Sequence, residues 1–167
     1  MDENLETWMR SLATALIHPW YETQGYIRPS AFIVLDNKLD HINLDFTNTD
    51  TRTVSEDVIR RICSNPDFER VLVVSECLLI EIHDQRIFAN CNVNINMAAE
   101  TKISRRKIIL FWAEDHAQIL IGQCIITHNN ADELILKPFE IIEERDVKID
   151  RRYTDYMPRY YFKREHE

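Results

Sequence analysis

One carboxylate stands in an apolar row. In the run from Arg70 to Ile82, Leu72, Val74, Leu78, Ile80 and Ile82 share one strand parity with Glu76. Residues of one parity project from the same face of a strand. A carboxylate on a buried face has to pair, coordinate a cation or take up a proton. Arg105 and Arg106, just ahead of the next apolar run, are the expected partners. The chemistry available to Glu76 is proton transfer or ligand binding; its structural alternative is an ion pair. If Glu76 is buried and paired, Glu76→Gln costs on the order of 1–3 kcal/mol.

Other chemically capable residues are spaced badly for catalysis. His41, Asn43 and Asp45 form a polar stripe, but His41 and Asp45 are ~13 Å apart along a strand, too far to share one metal. Cys124 and His128 are four residues apart, which converges on a helix and diverges on a strand, and His116 lies in a turn. Glu81-Ile82-His83-Asp84 has acid–base types without a nucleophile. No nucleophile-elbow, zinc-protease or phosphate-loop pattern occurs, although a catalytic triad is spatial and needs no such pattern. The chain has only two glycines, Gly25 and Gly122, which argues against a glycine-rich phosphate cradle. The reading is no metal and no cofactor.

The C-terminal stretch has the most distinctive composition. Arg151, Arg152, Tyr156, Arg159, Tyr160 and Tyr161 are the residues expected to bind a partner, since arginine and tyrosine anchor interfaces. Five basic residues against three acidic ones give 151–167 a net charge of +2, which leaves −10 on the rest of a chain whose total is −8. An acidic body favours a basic protein partner and opposes nucleic acid. Stacking of the tail on single strands is the lesser reading.

These residues need elements to hold them. Leu5, Trp8, Met9, Leu12 and Leu16 share a helical face, predicting a helix over 4–17 stopped by Pro19. Ala31–Leu35 and Asp40–Phe46 read as a hairpin across Asp36-Asn37-Lys38. Thr53 and Glu56 match a capping box for a second helix ending at Asn65-Pro66. Arg70–Ile82, Lys107–Ala113, Ala117–Thr127 and Leu134–Glu143 read as strands, with Pro138 marking an edge or a bulge. Gly122 inside its strand predicts a bulge or a close backbone approach. Asp115-His116 suits a tight turn, both types tolerating positive φ. Val93, Ile95 and Met97 suggest a weak edge strand.

The sum is an α+β fold: a mainly antiparallel sheet of five to six strands with two principal helices, in one domain over 1–145, followed by a tail over 146–167. At 167 residues the chain can bury a core without staples. Four cysteines without a CxxC pair, an acidic start at Met1-Asp2-Glu3-Asn4 and no long apolar run point to a cytoplasmic protein with no membrane contact. Strands apolar on both faces predict self-association as a homodimer.

The chain from Phe32 to Ile142 resembles a group of small uncharacterised bacterial and phage proteins. The resemblance rests on Val73-Val74-Ser75-Glu76, a polar loop, and Arg105-Arg106-Lys107 entering Ile108–Trp112. It implies the fold and brings no activity. The functional expectation is a non-enzymatic acidic binding or inhibitor protein of the immunity or anti-defence type. The alternative is a small enzyme or ligand-binding domain centred on Glu76. A chain truncated after Asp150 is expected to lose partner binding or to change its assembly mass. Unchanged mass, melting temperature and binding would make the tail a passive extension.

Overall fold

A computed structural model describes residues 3–22, 25, 27–82, 85–89 and 103–146. The tail residues Arg151, Arg152, Tyr156, Arg159, Tyr160 and Tyr161, the suggested strand around Val93–Met97, and Cys91 lie outside these described residues. Among the described residues two helices and eight strands follow the order α1 (Leu5–Glu22), β1 (Ser30–Leu35), β2 (Lys38–Asn43), α2 (Thr49–Cys63), β3 (Phe68–Ile82), β4 (Gln85–Ala89), β5 (Ile103–Glu114), β6 (Gln118–His128), β7 (Leu134–Leu136) and β8 (Glu140–Asp146). The fold is α+β, and every strand pairing is antiparallel.

The sheet runs β2-β1-β3-β5-β6-β7, with β4 also on β3 and β8 also on β6. The long strand β3 organises it. One edge of β3 pairs with β1 through Val74 and with β4 from Leu78, leaving a gap at 75–77. Its other edge pairs with β5 from Val71 to Ile82. Leu72, Val74, Ile109, Phe111, Ala113, Leu120 and Cys124 face α1, where Leu5, Trp8, Met9 and Ala13 cover them. On the opposite face α2 covers Ala31, Ile33, Val71 and Val73 with Ile59 and Cys63.

The rest of that second face is buried by curvature. Cys77, Leu79, Ile108, Leu110, Ile119 and Ile121 form their own cluster, with Phe88, Trp112 and Ile142 packed on it. In a flat sheet β4 and β8 would lie four strand spacings apart, ~19 Å. Yet an Arg86 Nη1 donates to the carbonyl of Ile142 at 2.8 Å. The sheet therefore curls until β4 and β8 meet. Inside the curl Arg145 lies 5.1 Å from the Trp112 ring centre. Most of the apolar strand residues on which the expectation of a dimer rested are thus buried within a single chain, and Trp112, Ile125 and Ile126 are partly buried.

Several local expectations need correction. Helix α1 passes through Pro19 and ends at Glu22. Proline in a helix costs a hydrogen bond, and tertiary contacts offset that cost here. Trp20 is buried, and the Tyr21 hydroxyl accepts the Leu136 N–H at 3.0 Å. The cap of α2 is Asn48, not Thr53: Asn48 Oδ1 accepts the Thr51 N–H at 2.9 Å, and Thr51 Oγ1 accepts the Asn48 N–H at 3.2 Å. Asparagine is the stronger N-cap. Thr53 sits inside the helix, its hydroxyl donating to the Thr49 carbonyl.

The hairpin turn at Asp36 and Asn37 has φ of 49° and 60°, the two positive values a two-residue turn requires. The β5–β6 turn needs none. Asp115 Oδ1 accepts the N–H groups of Ala117 and Gln118, both at 2.8 Å, and holds a three-residue connection. Pro138 splits the last strand into β7 and β8, both against β6. No helix among the described residues is long and apolar enough to cross a membrane.

Gly122 meets both of its expectations. The β6–β8 register shifts between Ile121 and Gly122. A Cβ at Gly122 would lie 2.5 Å from the Phe139 ring and 2.9 Å from the Met9 methyl. Gly122→Ala is expected to cost about 1–3 kcal/mol through overpacking, read by urea denaturation. Unchanged stability would mean that Phe139 moves aside freely.

Candidate functional site

Strand register carries Glu76 to the α1 face, opposite Ile109 of β5. It sits in the gap between β1 and β4, where the outer edge of β3 has no strand partner among the described residues. The segment leading into β1 fills that gap, and the Ile27 N–H donates to Glu76 Oε1 at 3.3 Å. Lys107 Nζ lies 3.5 Å from Glu76 Oε2. Lys107 is opposite Leu78, two residues along from Ile109, so this is a diagonal cross-strand pair.

The pairing corrects the expected partners. Arg105 shares the face of Glu76 but sits opposite Ile80, ~13 Å farther along the strand. Arg106 sits opposite Leu79 and has the other parity, so it projects from the other face. Lys107, left out of the sequence expectation, has both the right parity and the right distance. The Glu76 side chain is 17% exposed and that of Lys107 51% exposed. The pair is therefore half-wet, and its net contribution is screened.

Glu76 also borders a cleft of about 420 Å³ with Arg28, Leu44, Asp45, Phe46 and Thr47. Asp45 is held below the ordinary carboxylate range, first by the Thr47 hydroxyl and then by the Thr47 N–H, both donating to Asp45 Oδ1. Arg28 adds a smaller attraction. The cleft thus presents a carboxylate whose charged form is favoured by two hydrogen bonds, a second, mostly buried carboxylate and one guanidinium. That set can hold a cationic or hydroxyl-rich group. Within the cleft the Thr47 hydroxyl donates to the Asp45 carboxylate, and no histidine, cysteine or lysine lines it among the described residues.

The remaining candidates do not converge. His41 stacks on Phe32 with ring centres 4.7 Å apart, and Asn43 is exposed. A His116 ring nitrogen lies 3.1 Å from the Phe68 carbonyl. Cys124 is buried on the α1 face, its thiol pushed up to about 12, first by burial and then by the Glu140 charge. A thiol held that high is a poor nucleophile and a poor metal ligand. No group of three potential metal ligands occurs among the described residues.

One buried acid escaped the sequence reading. Glu114 is fully buried and accepts the Trp112 Nε1–H at 2.5 Å. Its signal was the parity row Ile108, Leu110, Trp112, Glu114, obscured because Glu114 ends its strand beside Asp115. A second group of charges lies where β5 and β6 part: Arg105, Arg106, Lys107 and Lys137 line a groove of about 410 Å³.

Compared with protein families, curated proteins and solved structures, the chain has no match. Function is therefore argued from its own geometry. Glu76→Gln is expected to cost about 1 kcal/mol, the low end of the range for a paired carboxylate, because Lys107 is half solvated. Lys107→Ala should cost less still. A loss above ~3 kcal/mol for Glu76→Gln in urea titrations would contradict the half-wet description.

Proposed function

We propose that the protein is a non-enzymatic binding protein that occupies a basic protein partner, in the manner of immunity or anti-defence inhibitors. The observation behind this is the outer side of β6. Asp132 and Glu133 in the β6–β7 turn, and Glu140 and Glu144 on β8, are all exposed. They follow β6 for ~30 Å. Complementary charge of this kind speeds encounter and suppresses wrong partners. The edge does not suit strand addition, because the β6–β8 register shift interrupts it and Arg86 already occupies the Ile142 carbonyl. Contact through side chains is the mode that fits. A cytoplasmic setting follows from the same reading.

A second reading has its own observation, the cleft beside Glu76 and Asp45. It would make the chain a small ligand-binding domain. Native mass spectrometry of protein purified from its host separates the two, since a retained small molecule supports the second. The exposed apolar residues open to a homodimer include Val54 and Val58 on α2, Leu39 on β2 and Ile87 on β4.

Affinity capture with the full chain tests the leading reading. A partner with a basic surface should be held by the wild type and lost from Glu133→Lys/Glu140→Lys/Glu144→Lys, with association slowing at least tenfold and a steep salt dependence. A partner held equally by both proteins would overturn the assignment to this edge.

A further inference from the structure

We propose that the wedge between β5 and β6 binds a small ligand bearing two or more phosphates. The wedge is a product of topology. Strands β5 and β6 are paired from Glu114↔Ile119 to Ile108↔Ile125 and then part. Beyond that point β5 continues against β3 as far as Ile103, while Ile126–His128 of β6 turn to pair with β7. Residues 105–107 therefore have no strand on their β6 side among the described residues.

Three consecutive side chains reach this opening from both faces of β5. Arg105 and Lys107 come from the α1 face and Arg106 from the other. Lys137 closes the opposite wall, fixed in place as its backbone N–H donates to the Ile125 carbonyl at 2.8 Å, one residue before Pro138. The four cations share one groove of about 410 Å³ with no acidic residue lining it among the described residues. Volumes of this order suit small ligands. The side chains of Arg106 and Lys137 have no hydrogen bond or ion pair in the described structure. The Glu76 carboxylate, the described partner of Lys107, stands at the margin.

Arg106 and Lys137 bring two exposed cations to one groove beside Arg105 and the Glu76-paired Lys107, and an anion between Arg106 and Lys137 offsets their mutual repulsion. Arginine forks match phosphate oxygens two at a time, and lysines add point charges. Thr127 supplies a hydroxyl, and Ile125 gives an apolar wall for the rest of the ligand. The pairing of Ile108 with Ile125 closes the wedge at one end. A terminal polyphosphate can enter such a blind end, whereas a continuous nucleic-acid strand cannot pass through it. The acidic body opposes a polymer as well.

The test is calorimetric titration of the full chain with tripolyphosphate and with a nucleoside triphosphate at low ionic strength. Saturable one-to-one binding is expected. Arg106→Ala and Lys137→Ala should each weaken it at least tenfold, the loss for one charge-assisted contact. Both residues are exposed, and unchanged circular dichroism spectra would show that the variants fold. Glu76→Gln should strengthen binding, because it releases Lys107. Arg61→Ala, an exposed cation on α2, should change nothing. Absence of saturable binding would overturn the proposal, as would equal weakening by Arg61→Ala. Tighter binding of a single-stranded oligonucleotide through Arg106 and Lys137 would overturn it in favour of a polymer.

Discussion

A central strand with apolar side chains on both faces needs two covers, and the architecture follows from supplying them. Val71 to Val74 are all buried, with alternate residues facing opposite layers. Helix α1 supplies one cover along much of β3, β5 and β6. Helix α2 has only 15 residues and covers the β1 half of the other face. The sheet closes the remainder by curling, and the Arg86–Ile142 hydrogen bond joins the two strands this brings together. Apolar burial drives that closure. The hydrogen bond satisfies a carbonyl that the β8 register shift leaves without a ladder partner.

The same curvature explains where polar groups are tolerated. Arg145 is buried, yet Glu143 binds it with two hydrogen bonds of 3.0 Å and its guanidinium lies against Trp112. Gln123, also buried, donates to Glu140 at 2.7 Å. Glu76 follows this logic at the other side of the sheet. It fills the break between β1 and β4 and satisfies the Ile27 N–H that enters there. Its first task is structural. Its second significance comes from Lys107, which reaches Glu76 while also lining the wedge between β5 and β6.

Charge is therefore segregated rather than spread. Exposed carboxylates follow the outer side of β6, and the cationic wedge lies where β5 and β6 separate. Lys137 marks the boundary, since it belongs to the segment between β7 and β8 yet turns into the wedge. Pro138 lies between β7 and β8, which both pair with β6, and so interrupts the ladder on that side of β6.

Local pattern was enough for the α+β class, for the parity of Glu76 and for the special status of Gly122. Each depends on side-chain period or on the absence of a Cβ, both of which are properties of the chain itself. The extent of α1 was not legible, because the Tyr21–Leu136 hydrogen bond that helps to carry it through Pro19 joins residues 115 positions apart. Nor was the choice of Asn48 over Thr53, two residues that both carry a capping side chain. Arg105 and Arg106 were the expected partners of Glu76, and register replaced them with Lys107. A shift of one or two residues between β3 and β5 leaves composition untouched but changes which charge lies within reach. The wedge is the strongest case. Arg106 and Lys137 are 31 positions apart, and they line one groove only because β6 exchanges β5 for β7, a consequence of long-range strand pairing that no local spacing encodes.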